Sequence, residues 1–132
     1  MILRGRAIAN GIASGEALIS SDVISFLGGV DAKTGVVVEK GHALEGKCIA
    51  GKVLIFPHGK GSTVGSYVLY QLAKNKVAPV AIVNEKAEII VAVGAIVAEI
   101  PMVDMVETGM EGFKDGDLLE VDGTNGRVEK TG

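Results

Sequence analysis

Short apolar runs separated by glycine-rich turns make up the first half of the chain, a pattern typical of β-strands joined by tight connections. Asn10 and Gly11 divide residues 2–20 into two strands, because Asn-Gly favours a hairpin turn. A short helical turn that ends at two glycines is predicted over 23–27. The later strands are predicted at 36–39, 48–50, 52–56, 78–83, 101–106, 118–121 and 127–129.

Two longer segments have helical character. The first covers residues 64–75 and is expected to bury one stripe of side chains. That stripe contains Val64, Val68, Leu72 and, one turn out of line, Leu69. The second covers residues 85–97, and its acidic start favours a helix N-terminus. A strand is the alternative here, but the alanines and Gly94 favour a helix. The apolar segment 89–103 is expected to lie in the core rather than at an interface.

The strands at 52–56 and 78–83 flank the first of these helices, so we predict a right-handed crossover with parallel pairing. Hairpins account for the remaining strands. The expected fold class is α/β, with a mixed sheet or a barrel-like pair of sheets and two or three helices. Residues 1–132 are expected to form one domain.

Composition and charge narrow the classes of partner. Of the 132 residues, 48% are hydrophobic but only 4% are aromatic, so we expect a core of Val, Ile, Leu and Ala. The net charge is −3 with both signs mixed along the chain, which leaves no basic stripe for nucleic acid. The longest apolar stretch, 89–100, is too short to span a bilayer of ~30 Å. We therefore expect neither nucleic acid nor a membrane as a partner.

Cys48 is the single cysteine of the sequence, and we expect it to be a small buried apolar residue in its strand. A lone thiol cannot form an internal disulfide, and alone it cannot hold an iron–sulfur cluster or a structural zinc. We therefore expect no metal on this chain. The first residues do not combine a basic start with an apolar run, so we expect no secretory leader and a cytoplasmic location.

The glycine-rich loop 58–63 is the strongest candidate for chemistry, because it follows a buried strand and precedes a helix. Unpaired N–H groups at a helix N-terminus attract anions, and Gly59 and Gly61 allow a ligand to approach the backbone closely. Ser62 and Thr63 could bind that ligand, or they could only cap the helix. The glycine spacing matches neither the Walker loop nor the dinucleotide-binding fingerprint.

A second candidate site precedes this loop in the chain. Two adjacent glycines near an acidic residue suit a loop that packs against a ligand, and they equally suit a helix end followed by a tight turn. The members of this candidate are Ser25, Gly28, Gly29 and Asp31.

The two histidines have weaker claims to a function. His58 opens the glycine-rich loop and could relay a proton or carry a phosphoryl group, but a loop residue bonded to backbone is the favoured interpretation. His42 lies in a polar turn and is expected to be structural or to lie at a subunit contact. Arg6 could reach an anion, although a surface charge is its default interpretation.

Five segments, spread over nearly the whole chain, together carry a specific resemblance. They are 25–31, His42 with Gly46, 51–54, 59–67 and 94–103. In these segments the sequence is similar to the small-subunit branch of the aconitase X family. Loop 59–63 also resembles the catalytic loop of the aconitase swivelling domain, Gly-x-Gly-Ser-Ser-Arg, in which the first serine is the base.

This resemblance implies a swivelling β/β/α domain in which Ser62 is the catalytic base. Val64 departs from the aconitase pattern, because aconitase has at this position an arginine that holds a substrate carboxylate. The departure implies a different substrate or a different carboxylate anchor. The substrate-binding residues implied by the resemblance are Lys60, Gly61, Thr63, Ser66, Ser25, Gly28, Gly29 and Asp31.

The resemblance also implies a reaction, in which a hydro-lyase removes water from (R)-5-phosphomevalonate and forms trans-anhydromevalonate 5-phosphate in an archaeal mevalonate route. A large partner subunit would hold an iron–sulfur cluster, expected to be 4Fe–4S, whose open iron acts as a Lewis acid on the leaving hydroxyl. Two alternatives stay open: a stand-alone swivelling domain that binds phosphate or carries a phosphoryl group, and the small subunit of a related hydroxy-acid dehydratase.

Overall fold

The computed structural model describes residues 1–61 and 63–131. Within these ranges the chain forms eight strands and three α-helices, with a 3-10 helix at Gly109–Gly112. The elements are β1 (Ile2–Arg4), β2 (Arg6–Ala9), β3 (Ile12–Ile19), α1 (Phe26–Gly29), β4 (Lys52–Phe56), α2 (Val64–Lys74), β5 (Ala81–Asn84), α3 (Ile89–Ala98), β6 (Met102–Asp104), β7 (Leu118–Asp122) and β8 (Arg127–Lys130).

The described strands form one mixed sheet in the order β1-β8-β7-β3-β4-β5-β6-β2. The pairs β3–β4, β4–β5 and β5–β6 are parallel, and the other pairs are antiparallel. Helix α2 connects β4 to β5, and α3 connects β5 to β6. The predicted α/β class and the parallel crossover around α2 are therefore confirmed.

The sheet closes on itself at Gly5. Strands β1 and β2 lie at opposite edges of the sheet, yet Gly5 alone separates them along the chain. Its N–H donates to the carbonyl oxygen of Gly126 at 2.7 Å, and a Cβ on Gly5 would lie 2.5 Å from the carbonyl oxygen of Asp104. The barrel-like form of the expected fold is thus the observed one. The break at Gly5 was not predicted, because the residues on both sides of it continue one strand-like run in the sequence.

Two hydrophobic cores lie on the two faces of this curved sheet. In β4, Val53 and Ile55 belong to the core inside the curved sheet, whereas Leu54 and Phe56 face the helices. This alternation follows from the period of two along a strand. The inner core is made of Leu3, Ala17, Val53, Ile55, Ala81, Val83, Val103, Val106, Phe113, Leu119, Val121 and Val128. Aromatic side chains are few in both cores, with Phe113 inside and Phe26 and Phe56 outside, and most of the other core residues are aliphatic, as the composition predicts.

The buried stripe of α2 begins one residue later than predicted. Gly65, Val68, Leu69 and Leu72 are buried at spacings of three and four residues, and the side chain of Val64 is exposed. The expectation that Val64 is buried is therefore wrong. Gly94 of α3 packs against this helix, since a Cβ there would lie 3.1 Å from the Cα of Ser66. A glycine at this point allows the two helices to approach closely.

Helix α3 begins at Ile89, four residues after the predicted start. The residues between these two positions do not begin the helix, because the N–H groups of Glu85 and Lys86 donate to the carbonyl oxygen of Pro57. The carboxylate of Glu88 accepts from the N–H groups of Ile90 and Val91, so Glu88 caps the helix.

The apolar sequence of α3 was expected to lie in the core, and only one side of the helix does so. Val91, Gly94 and Ala95 are buried, but the opposite face is exposed to solvent. The exposed residues are Ile89, Val93, Ile96 and Val97. No helix within the described ranges is long and apolar enough to cross a membrane.

The strands predicted at 36–39 and 48–50 are reduced to isolated bridges. Val37 pairs with Val30, and Val36 pairs with Cys48. Gly35 has a φ of 76° and interrupts extended pairing before Val36. Cys48 is exposed rather than buried, and its thiol donates to the carbonyl oxygen of Thr34 at 3.4 Å.

The turn between β7 and β8 is organised by the buried carboxylate of Asp122. Its Oδ1 accepts from the N–H groups of Thr124 and Asn125, and its Oδ2 accepts from the side-chain amide of Asn125 at 2.9 Å. The guanidinium of Arg127 lies 3.3 Å from Oδ2. The hydrogen bonds from Asn125, followed by those from Thr124 and the charge of Arg127, outweigh burial and lower the pKa of Asp122.

We predict that Asp122→Asn destabilises the protein at pH 7 and that this loss shrinks in acid. The pKa of Asp122 is lowered by folding, so its stabilising contribution is present above the unfolded-state pKa, about 3.9, and is lost as the pH falls through the folded-state pKa. Urea unfolding at pH 7 and at about pH 3 measures the difference in the free energy of unfolding. Glu111→Gln, on an exposed carboxylate of the 3-10 helix, is the matched control. A difference between Asp122→Asn and wild type that stays constant over this pH range would contradict the prediction.

Candidate active site

The carboxyl ends of the parallel strands meet at one edge of the sheet. The residues at that edge are Ser20 after β3, the loop from Pro57 after β4, Asn84 at the end of β5, and Asp104 at the end of β6. Ligands bind at this edge in both open and closed parallel α/β sheets, because the loops that follow the strands converge there. The glycine-rich loop therefore lies where the strand order places a site.

The backbone of the glycine-rich loop is held by the segment that precedes α1. The N–H of Ile24 donates to the carbonyl oxygen of His58 at 3.3 Å, and the N–H of Lys60 donates to the carbonyl oxygen of Ile24 at 3.1 Å. These bonds form a short parallel bridge between Ile24 and Gly59. The two candidate sites, which lie far apart in the sequence, therefore become neighbours.

Gly61 lies directly against Ser25. A Cβ on Gly61 would lie 2.9 Å from the Oγ of Ser25, and the φ of Gly61 is +101°, which side-chain-bearing residues rarely adopt. The hydroxyl of Ser25 donates to the carbonyl oxygen of Leu27 at 3.2 Å. Glycine is thus required at residue 61 both by its backbone conformation and by its neighbour.

Gly59 packs against the start of α3. A Cβ on Gly59 would collide with the side chain of Val91 and would lie 3.0 Å from the Oε1 of Glu88. The Glu88 carboxylate is the cap of α3, so the loop and the N-terminus of that helix form one packed unit. The sequence analysis noted the acidic start of this helix but not its contact with the loop.

Thr63 and Ser66 lie at the start of α2. The side chain of Thr63 makes no capping hydrogen bond, so capping by Thr63 does not occur, and the hydroxyl of Ser66 donates to the carbonyl oxygen of Thr63 at 2.9 Å. Ser62, the predicted base, lies outside the described residues, and its role stays a prediction. The side chain of Lys60 is exposed beside this turn.

A small apolar hollow opens between the N-terminal ends of α2 and α3. Its volume is about 220 Å³, and it is lined by Thr63, Ser66, Ile89, Ile90 and Val93. Two of the predicted substrate-binding residues therefore share a surface with α3.

Gly28 and Gly29 lie on the irregular turn of α1. Gly28 has a φ of +83° with open space around it, and Gly29 is buried with its carbonyl oxygen bonded to the N–H of Val38 at 2.9 Å. The first of these glycines leaves room for a ligand. The second connects the turn to the following segment.

Asp31 is not brought to the loop. Its carboxylate accepts from the N–H of Lys33 at 2.8 Å, and the next carbonyl, that of Ala32, accepts from the side chain of Asn75 at 2.7 Å. Asn75 follows the last residue of α2, about 18 Å along the helix axis from Thr63 at 1.5 Å per residue. The contacts of Asp31 are those of a tight turn.

Both histidines form hydrogen bonds with nearby backbone groups, in agreement with a backbone-bonded His58 and a structural His42. His58 is exposed, with its Nδ1 2.7 Å from the carbonyl oxygen of Gly59. The Nδ1 of buried His42 accepts from the N–H of Leu44, so its Nε2 carries the proton and donates to the carbonyl oxygen of Val23 at 2.9 Å. His42 thus joins its turn to the segment that leads into Ser25.

Two polar residues at the edge were not identified from the sequence. Asn84 is 1% exposed, and its Nδ2 donates to the carbonyl oxygens of Phe56 and Val83, while its Oδ1 has no hydrogen-bond partner among the described residues. Asp104 is fully buried and binds both Arg6, at 2.8 and 2.9 Å, and the N–H of Ala87. The hydrogen bond to Asp104 raises the pKa of Arg6. Arg6 therefore serves the fold rather than an anion.

We predict that Gly61→Ala destabilises the protein more than Gly46→Ala. Both glycines have a positive φ, but the space around Gly46 is open, whereas a Cβ on Gly61 meets Ser25. The backbone penalty of about 1 kcal/mol is common to both, so any further loss measures the crowding. Thermal unfolding gives the comparison, and the double variant Gly61→Ala/Ser25→Gly should lose less than the sum of its single variants. Equal unfolding temperatures for Gly61→Ala and Gly46→Ala would argue against the crowding.

Comparison with known proteins agrees with this architecture. A family model described as the aconitase X swivel domain matches residues 2–130. A phosphomevalonate dehydratase small subunit of Methanosarcina acetivorans is 64% identical over 128 residues, covering 96% of this chain and 89% of the relative. A protein of the same name from Methanocella arvoryzae is 63% identical over 130 residues, covering 98% of each chain.

Solved structures give the same result for the fold. The crystal structure of the holo-form of Thermococcus kodakaraensis aconitase X contains a chain that superposes with a TM-score of 0.95 at 50% identity, covering 100% of this chain and 99% of that one. A second relative, solved in solution by NMR, superposes with a TM-score of 0.91 at 50% identity over 100% of both chains. The resemblance drawn from the five sequence segments is confirmed, and this chain belongs to the aconitase X swivel-domain family.

Proposed function

We propose that this chain is the small subunit of a hydro-lyase that removes water from (R)-5-phosphomevalonate and forms trans-anhydromevalonate 5-phosphate. In this proposal residues 1–132 act as one swivelling domain, and Ser62 contributes the base. The observation that carries the proposal is the identity of 63% over 98% of both chains with a relative named as a phosphomevalonate dehydratase small subunit. Because this match covers both chains almost completely, it supports the same function for the whole of this chain and not for one part of it.

The proposed partner is a large subunit that holds the iron–sulfur cluster. Within residues 1–61 and 63–131 no three His, Cys, Asp or Glu side chains form a group that could hold a metal. Cys48 is exposed, and its thiol donates a hydrogen bond to the carbonyl oxygen of Thr34. The described residues therefore do not fit a cluster. A cytoplasmic location goes with this proposal, because reducing conditions there keep an exposed thiol free.

In the proposed step Ser62 takes a proton from the carbon next to the substrate carboxylate. The electron pair of that C–H bond forms the double bond as the C–O bond to the neighbouring hydroxyl breaks, and the abstracted proton and the released hydroxide leave as water. A serine oxygen is a weak base unless its anionic form is stabilised. The N-terminus of α2 follows Ser62 directly, and Lys60 supplies an exposed positive charge in the same loop.

We propose that the substrate contacts the rim around this loop. The residues that support this role by their position are Lys60, Gly61, Thr63, Ser66, Ser25, Gly28 and Gly29. Gly61 and Gly28 leave backbone accessible, and the hydroxyls of Ser25, Thr63 and Ser66 are hydrogen-bonding groups that a carboxylate or phosphate can use. We assign Asp31 to its own turn.

We expect Ser62→Ala to abolish turnover while leaving assembly with the large subunit intact. The wild-type small subunit and Ser62→Ala are each reconstituted anaerobically with the large subunit, and the loss of water from 5-phosphomevalonate is measured. A loss of about 10³-fold or more in kcat is expected for the removal of a base on which the step depends. Full activity of Ser62→Ala would eliminate Ser62 as the base.

The two alternative functions are separated by the same preparation. Hydroxyproline, offered in place of 5-phosphomevalonate, tests a related hydroxy-acid dehydratase. Incubation of the lone chain with phosphoryl donors, followed by mass spectrometry, tests a phosphocarrier that uses His58. The proposed function would be wrong if the enzyme turned over hydroxyproline but not 5-phosphomevalonate, or if the lone chain carried a stable phosphoryl group on His58.

A further inference from the structure

The outer face of α3 is apolar and has no covering element among the described residues. The helix contains only Ile, Val, Ala and Gly, so no side chain on it can form a hydrogen bond with water. Ile89 is 75% exposed, Ile96 57%, Val97 56% and Val93 44%. These four residues are spaced by four, seven and eight positions from Ile89, which places them on one side of the helix. We call these four residues the α3 face.

A helix that is hydrophobic on all sides is normally buried on all sides. Contiguous exposed apolar surface in a water-soluble protein marks a site of interaction. The opposite side of α3 already packs on the core through Val91 and Ala95, so the helix needs a second covering surface from outside this chain.

The α3 face is continuous with the proposed active site. Ile89 and Val93 line the hollow of about 220 Å³ together with Thr63 and Ser66, which follow the predicted base along the chain. Glu88, at the start of the same helix, packs against Gly59 of the loop. Charged groups lie at the ends of the helix, at Glu88 and Glu99, but none lies along it. An apolar centre with a polar rim is the usual arrangement of a protein interface.

We propose that the α3 face is a docking surface for the large subunit. This inference rests on the proposed function, in which a separate chain must approach the loop 60–63 with its own half of the active site. A chain that approaches the loop across the hollow at Thr63 and Ser66 also covers Ile89 and Val93. A second copy of this chain on the α3 face would instead obstruct the loop, so the large subunit is the occupant that the position of the face favours.

The test measures assembly separately from turnover. Purified small subunits carrying Ile89→Asp or Val93→Asp are titrated with the large subunit, and the dissociation constant is compared with that of wild type. An acidic residue at the first position of α3 favours the helix N-terminus, so Ile89→Asp should keep its fold, which circular dichroism checks. Each variant is expected to weaken binding by about 30-fold or more, the size of a hot-spot loss. Leu118→Asp, at an apolar position on β7 whose exposure lies between those of Ile89 and Val93, is the matched control and is expected to bind within about threefold of wild type.

The outcomes separate this inference from the proposed function. Wild-type affinity of folded Ile89→Asp and Val93→Asp would overturn the docking surface, whatever the turnover. Weakened binding together with full activity of Ser62→Ala would leave the docking surface standing and remove Ser62 as the base. Sedimentation of the lone chain tests the second copy: a wild-type dimer that Val93→Asp converts to a monomer, with unchanged affinity for the large subunit, would assign the α3 face to self-association and overturn the proposal.

Discussion

The seam at Gly5 is the constraint on which the arrangement of the other elements depends. The edges formed by β1 and β2 must meet within one residue, and the carbonyl oxygen of Asp104 occupies the space that a side chain at Gly5 would need. Pairing of β2 with β6 connects this seam to the parallel strands β6, β5 and β4, whose carboxyl ends lie at one edge. The glycine-rich loop emerges from that edge. A substitution at the seam would therefore disturb the site through the register of the sheet, without touching any residue of the loop.

Local sequence patterns were sufficient for the elements around the site and for the site loop itself. The run 52–56 is almost entirely apolar and is followed by proline and glycines, so a buried strand and a loop before a helix could both be predicted. The proximity of Ser25 and Gly61 could not be predicted from the sequence. It depends on backbone hydrogen bonds between Ile24 and the loop, which no local pattern encodes. The burial of Asn84 depends in the same way on the pairing of β5 with β4 and β6. The contact of the buried Asp104 carboxylate with the half-exposed Arg6 depends on the pairing of β6 with β2.

The departures from prediction share a physical origin. A high apolar content predicts that a segment is buried, but it does not say which surface buries it. Helix α3 was expected to lie in the core because its sequence is apolar. Asp31 was placed in the candidate site because two glycines precede it and because the family resemblance favoured a site over a tight turn. Its carboxylate accepts from the N–H two residues onward, a local hydrogen bond typical of aspartate. Cys48 was expected to be buried because a strand was predicted around it, and the strand is reduced to a single bridge.

The pairing of β1 with β8 has a consequence for how the chain is made. Ile2 pairs with Glu129, so β1 can find its neighbour β8 only after all the residues between them have been synthesised. The parallel layer β4–β5–β6 with α2 and α3 is complete well before that moment. Contacts between distant parts of a chain form slowly, since the loop between them must close first. The edge that carries the glycine-rich loop is thus built from segments that are synthesised before β8, so the sheet can form this edge before β1 and β8 close the seam.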